Sequence, residues 1–202
     1  MLTDPLLPPT MALQAIVDAT GHEVGVELLF RLPPASSAPE LTSEADHEFA
    51  TSTVVDLLLQ HMDDDSTGLL FVNAPRAFLV GQQPLPEARG RIVVEVLEGV
   101  AADPQVVAGV RELLSRGYQI AVDDWEGGED REALVAHADF VKVDLEAVTA
   151  ARLPGIVAQA RELRPGVTVV VERIETADDL QAAVEAGADL FQGFLLATPD
   201  LV

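Results

Sequence analysis

The 202-residue chain carries a formal net charge of −22 and no cysteine. So acidic a chain repels a nucleic-acid backbone and an anionic membrane, and without cysteine neither a disulfide nor a thiolate metal site can form. With 49% hydrophobic residues it can fill one core of barrel size, while charges break every apolar run short of a membrane span.

The opening MLTDPLLPPT combines prolines with no basic residue. It is expected to be a flexible N-terminus (residues 1–11) rather than a signal peptide, which points to a cytoplasmic chain. ALQAIVD (12–18) and EVGVELLF (23–30) flank the short, glycine-containing ATGHE, and this predicts an antiparallel hairpin. PPASSAPELTSEADHE (33–48) reads as a mobile loop, and ATSTVVDLLLQHM (50–62) as a helix.

Strands then follow at GLLFVN (68–73), RIVVEVLE (91–98), YQIAVDD (118–124), DFVKVD (139–144), VTVVVE (167–172) and DLFQG (189–193). Helical periodicity falls between most of them, at DPQVVAGVRELLSRG (103–117), DREALVAHA (130–138), LPGIVAQARELRPG (153–166) and TADDLQAAVEAG (176–187). Gly117, Gly166 and Gly187 each end a helix directly before a strand, where a left-handed residue can turn the chain back. Helix, glycine, strand, repeated, is the pattern of parallel α/β architecture. The expected fold is α/β, a TIM-type (β/α)8 barrel with an irregular antiparallel first strand, forming one domain over 1–202. A doubly wound open sheet is the alternative, but no G-x-G-x-x-G follows the first strand.

Polar residues cluster near the ends of these strands: Glu27, Asn73, Glu95 with Glu98, Asp123 with Asp124, Lys142 with Asp144, Glu172 with Glu175, and Gln192. In a parallel barrel such ends open on one face, where active sites are built. Carboxylates and an amide oxygen are hard ligands suited to Mg²⁺ or Mn²⁺. The histidines, His22, His47, His61 and His137, have no ligand spacing. Several carboxylates around two cations suit hydrolysis of a phosphodiester. Lys142, the only lysine beside eleven arginines, is placed to orient the attacking water, and Arg31 to hold a phosphate oxygen. On strand statistics alone, Lys142 is equally well read as a side chain reaching out to solvent.

VELLFR (26–31) resembles the signature E-A-L-L-R, with Leu28 in place of alanine, and FVNAP resembles V-N-x-S. VEVLEG resembles the E-L-T-E strand, IAVDDWEGG resembles A-x-D-D-F-G-T-G, and FVKVD resembles I-K-I-D. VERIET resembles E-G-V-E-T, and FQGFLLATP resembles Q-G-Y-x-x-x-x-P. In this order, over about residues 12–199, they resemble the EAL domain, the bacterial module that linearises cyclic di-GMP to pGpG. ELLFR, ATSTVV and VVEVLEG are most similar to the EAL portion of EAL/HDOD signalling proteins, a subgroup in which catalysis is often weak or absent. No HDOD domain is expected in this sequence.

The resemblance implies metal ligation by Glu27, Asn73, Glu95 and Asp123, with Asp124 on a second Mg²⁺ or Mn²⁺. It implies that Lys142 contacts the attacking water, that Glu172 stands by the metal pair with Glu27 in the catalytic set, and that Arg31, Gln192 and Glu175 meet the ligand. Glu98 would support the loop after Asp124. Cyclic di-GMP is the implied ligand, with a homodimer or a signalling protein as further partner, and neither nucleic acid nor membrane. Against full activity stand the acidic, shorter WEGGEDREA, where active relatives carry F-G-T-G-Y-S-S, and shorter segments between Arg31 and Asn73 and between Asp144 and Glu172. Two readings stay open: a metal-dependent cyclic di-GMP phosphodiesterase, or an inactive EAL-like receptor or docking module. An unrelated barrel metalloenzyme would not carry every motif in this order.

Overall fold

A computed structural model describes residues 10–31, 43–61, 68–88 and 90–201. Each segment expected to be a strand forms one: β1 (Thr10–Asp18), β2 (Glu23–Arg31), β3 (Leu69–Ala74), β4 (Ile92–Val96), β5 (Gln119–Val122), β6 (Phe140–Asp144), β7 (Thr168–Glu172) and β8 (Leu190–Phe191). From β2 to β8 neighbouring strands pair in parallel, in chain order. β1 runs antiparallel between β8 and β2 and closes the ring. The architecture is thus the expected α/β barrel with an antiparallel first strand.

The helices are α1 (Glu44–His61), α2 (Arg76–Leu79), α3 (Pro104–Ser115), α4 (Glu132–Val135), α5 (Leu153–Leu163) and α6 (Ala177–Glu185). Gly117, Gly166 and Gly187 have φ of 88°, 85° and 86°, the left-handed turn that a helix-to-strand return needs.

The details differ from the sequence reading in several places. α1 begins at Glu44, inside the segment read as loop, because Ser43 and Asp46 cap each other: the Asp46 amide donates to Ser43 Oγ, and the Ser43 amide to Asp46 Oδ2. Residues 33–42 of that loop and 1–9 of the N-terminus lie outside the described residues. The helix expected over 130–138 is a 3-10 turn (Glu129–Arg131) followed by the single turn of α4. α2 and a two-residue strand, β9 (Asp200–Leu201), paired with Ala12 and Leu13 of β1, were not anticipated. Among the described residues, no helix is long and apolar enough to cross a membrane.

Two apolar layers position the site. The larger lies between barrel and helices and includes Val94, Val96, Ile120, Val141, Val143 and Val169. The smaller is Ile16, Phe71, Val93, Ala121, Phe140, Val170 and Leu190, where Phe71 and Phe140 meet edge to face with centroids 5.1 Å apart. Side chains two positions apart on a strand share a face. Phe71, Val93, Ala121, Phe140, Val170 and Leu190 are therefore followed, on their own face, by Asn73, Glu95, Asp123, Lys142, Glu172 and Gln192. A polar layer sits directly above an apolar plug inside the barrel.

Candidate active site

Parallel register brings the polar residues side by side: Asn73 is paired with Glu95, and Asp144 with Glu172. At the centre is Lys142, 1% exposed, so its ammonium does not reach out to solvent. Its Nζ lies 2.8 Å from Glu95 Oε1, 2.8 Å from Glu172 Oε1, 3.2 Å from Glu27 Oε2 and 3.7 Å from Asp123 Oδ1. Glu27, mid-strand in β2, also accepts from Gln192 Nε2 at 2.7 Å and from Asn73 Nδ2 at 3.1 Å. Donation through Nδ2 turns the Asn73 amide so that its oxygen is the atom left to meet a cation.

One ammonium cannot neutralise four carboxylates. Burial pushes Glu95 well above the usual carboxylate range; Lys142 pulls it back, but Glu27, Asp123 and Glu172 add to the rise. Glu172 is likewise pushed up to about 8 by burial against the pull of Lys142. Asp123 rises for the same reason, with Glu27 and Glu98 contributing after Lys142's opposing pull. On Glu27 burial works upward, yet Lys142 and the amides of Gln192 and Asn73 together hold it below its ordinary value. Burial disfavours the charge on Lys142, but Glu172, Glu27, Glu95 and Asp123 raise its pKa well above the ordinary lysine range. Glu95 Oε1 meets Lys142 as an ion pair outside hydrogen-bond alignment, and Glu95 Oε2 and Gln192 Oε1 are buried with no partner. Hard oxygens with excess negative charge and partnerless lone pairs fit divalent cations.

The cleft above this layer has a volume of about 300 Å³, and Arg31, Asp124, Glu175 and Phe194 help to line it. Arg31 is exposed and donates to the Phe30 carbonyl at 3.0 Å. Asp124 is half-buried in a left-handed conformation (φ 46°), and burial followed by Asp123, Asp144 and Glu98 pushes it up to about 6. Glu98 is exposed beside the aspartate pair, and Glu98, Asp123 and Asp124 each offer an oxygen within 4.8 Å of the others.

Two arginines were not marked by the sequence reading. Arg173 takes φ 55° where the E-G-V-E-T pattern has glycine, and its guanidinium meets Asp144 at 2.7 Å and Glu146 at 3.1 Å on the cleft's rim. A non-glycine residue at a motif glycine is the signal that could have found it. Arg131 reaches back under the loop after β5 to backbone carbonyls.

A family model described as the EAL domain matches residues 10–199. The chain belongs to the EAL domain family. This EAL barrel is 30% identical over 204 residues to the cyclic di-GMP phosphodiesterase CdgJ of Vibrio cholerae, covering 98% of this chain and 46% of that protein. It is 26% identical to the uncharacterized protein YuxH of Bacillus subtilis, over 95% of this chain and 47% of YuxH. The chain thus spans about half the length of the curated relatives it matches. Among solved structures, the EAL barrel superimposes with a TM-score of 0.76 on the Bacillus subtilis YkuI protein in complex with substrate c-di-GMP and calcium, at 26% identity, over 95% of this chain and 56% of that one. The manganese/cy-diGMP complex of Klebsiella pneumoniae BlrP1 gives a TM-score of 0.74 at 25% identity, over 98% and 57%.

Proposed function

We propose that this EAL barrel is a metal-dependent phosphodiesterase that hydrolyses cyclic di-GMP to pGpG. The observation that carries the reading is Lys142, buried among Glu27, Glu95, Asp123 and Glu172, with Glu95 Oε2 left without a partner. The named activity of CdgJ and the c-di-GMP complexes of YkuI and BlrP1 support the same ligand.

In this reading Glu27, Asn73, Glu95 and Asp123 hold one Mg²⁺ or Mn²⁺ and Asp124 contributes to a second. When bound, the ions acidify a water for attack on phosphorus and offset the phosphate charge. Lys142 directs that water through its ammonium, which stays protonated because carboxylates surround it. Glu172, 2.8 Å from Lys142 Nζ, holds that ammonium beside the reacting water. Arg31 and Gln192 orient the phosphodiester, and Glu175 meets the ligand at the rim. Attack forms one P–O bond and breaks the bond to the 3′ oxygen, which leaves with a proton while the phosphate stays on the 5′ side. In the same reading Glu98 supports the loop after Asp124, the chain works in the cytoplasm, and its partner is a second copy or a signalling protein.

Incubation of the full chain with cyclic di-GMP and Mn²⁺ or Mg²⁺ tests this, with pGpG the expected product and its absence overturning the enzyme reading. The exposed Glu126, Glu129 and Asp130 in the loop after Asp124 favour a second reading, a receptor that binds without turnover, because they oppose an anionic ligand. Calorimetric binding of cyclic di-GMP with no pGpG formed supports that reading.

A further inference from the structure

Asp123 and Asp124 stand at the start of a loop that makes repeated left-handed turns, with φ of 46° at Asp124, 82° at Gly127 and 110° at Gly128. Such a path does not by itself hold two carboxylates in place. On the β6 side the loop is pinned by Trp125, buried, whose amide donates to the Lys142 carbonyl at 2.8 Å. On the β4 side it is pinned by Arg131. Arg131 Nη1 donates to the Asp123 carbonyl at 2.5 Å, and Nη2 to the Val96 and Leu97 carbonyls at 2.6 and 3.0 Å. The Asp123 amide also donates to the Val96 carbonyl, so the guanidinium closes the joint where β4 and β5 end. Those ends carry Glu95 and Asp123.

We propose that Arg131 is a positioning residue for the metal-binding carboxylates: its guanidinium fixes the ends of β4 and β5 so that Glu95 and Asp123 face one cation and Asp124 the neighbouring one. This rests on the metal-dependent reading above. The planar fork spans carbonyls of two strands at once, which a lysine ammonium on a flexible stem does not reproduce. The same charge, however, repels a cation. Geometry and charge therefore make opposite forecasts for its removal, and only the first agrees with the proposal.

The test titrates the full chain with Mn²⁺ in the absence of nucleotide, by calorimetry and by emission of Trp125, the chain's single tryptophan. Arg131→Lys and Arg131→Gln are expected to weaken Mn²⁺ binding about tenfold or more, the range seen when supports of metal ligands are removed. Far-UV circular dichroism stays unchanged while Trp125 emission shifts to the red. Excess Mn²⁺ restores turnover, so the apparent KM for metal rises with kcat retained. Wild-type affinity in both variants overturns the assignment. So does tighter binding by Arg131→Gln with wild-type behaviour in Arg131→Lys, since charge alone would then explain the effect. If Arg131→Gln does not fold, Arg131→Lys, which keeps the charge, decides alone. Failure of the wild type to bind Mn²⁺ overturns the metal-dependent reading itself, and this inference with it.

Discussion

Glu95 meets Lys142 at 2.8 Å through one carboxylate oxygen, while its other oxygen, equally buried, has no partner. The pair is therefore half of an arrangement that a cation would complete. Lys142 serves as the counter-ion for the whole polar layer, and removing it leaves several carboxylates buried together without compensation. Lys142→Met is expected to cost the metal-free protein about 3–5 kcal/mol. Urea denaturation in EDTA checks this, and excess Mn²⁺ is expected to recover part of the loss. Wild-type stability in EDTA would mean that the carboxylates do not depend on the ammonium.

The crowding also sets a pH dependence. In the metal-free folded chain burial holds Glu172 at about 8, against an ordinary value of 4.5, and Asp124 at about 6, against 3.8. Between those limits the folded state keeps protons that the unfolded state has released. Stability in EDTA is thus highest at the acidic end of the window and falls as pH rises from about 4.5 to about 8. The shifts of Glu27 and Lys142 act below and above that window, because one is lowered and the other raised from its ordinary value. Mn²⁺ competes with the same protons, so its affinity rises with pH and the fall in melting temperature disappears in its presence. Melting curves at pH 5, 6.5 and 8, with and without Mn²⁺, check both; a melting temperature in EDTA that climbs with pH contradicts the assignment.

Glu27 accepts from Asn73 on the neighbouring β3, from Lys142 on β6 and from Gln192 just past β8. Glu27→Ala removes a proposed ligand and leaves those donors facing a void. Mn²⁺ affinity and turnover are both expected to drop by at least about 100-fold. Calorimetry separates this from a purely structural defect, since unchanged Mn²⁺ affinity with lost turnover would exclude Glu27 as a ligand.

Gly193 follows Gln192 with its α-carbon pressed against the backbone of Ile174, where a Cβ would collide with the nitrogen and carbonyl oxygen. Backbone cannot yield as a side-chain tip can. Gly193→Ala is expected to destabilise the fold by about 3 kcal/mol or more, at or beyond the upper end of ordinary overpacking. It should also draw Gln192 away from Glu27, weakening Mn²⁺ binding. Urea denaturation and metal titration of the variant check the two effects.

The apolar alternation of the strands was legible, and so was the polar layer, because residues such as Val93 and Glu95 or Phe140 and Lys142 stand two apart on one strand. Glycine caps at 117, 166 and 187 marked the returns. The environment of Lys142 was not legible: in sequence it is one charge near a strand end, and only closure of the ring surrounds it with carboxylates. Arg131 lies in a run of charges at the start of the segment expected to be a helix over 130–138, and its partners are backbone carbonyls, which leave no trace in side-chain types. α2 and β9 escaped because four and two residues are too short to show a period.

The antiparallel first strand has a kinetic consequence. β1 completes the ring by pairing Val17 with Phe191 and Asp18 with Leu190, and Glu27 accepts from Gln192, 165 residues away. Contacts of such sequence separation carry the largest loop-closure cost and are slow to form. During synthesis the barrel must remain an open sheet, with its interior carboxylates wet, until the last strand has emerged. Hydrogen exchange during refolding should therefore protect the β1–β8 seam after the β3–β4 ladder, and the polar layer is gathered around Lys142 only when that seam has zipped shut.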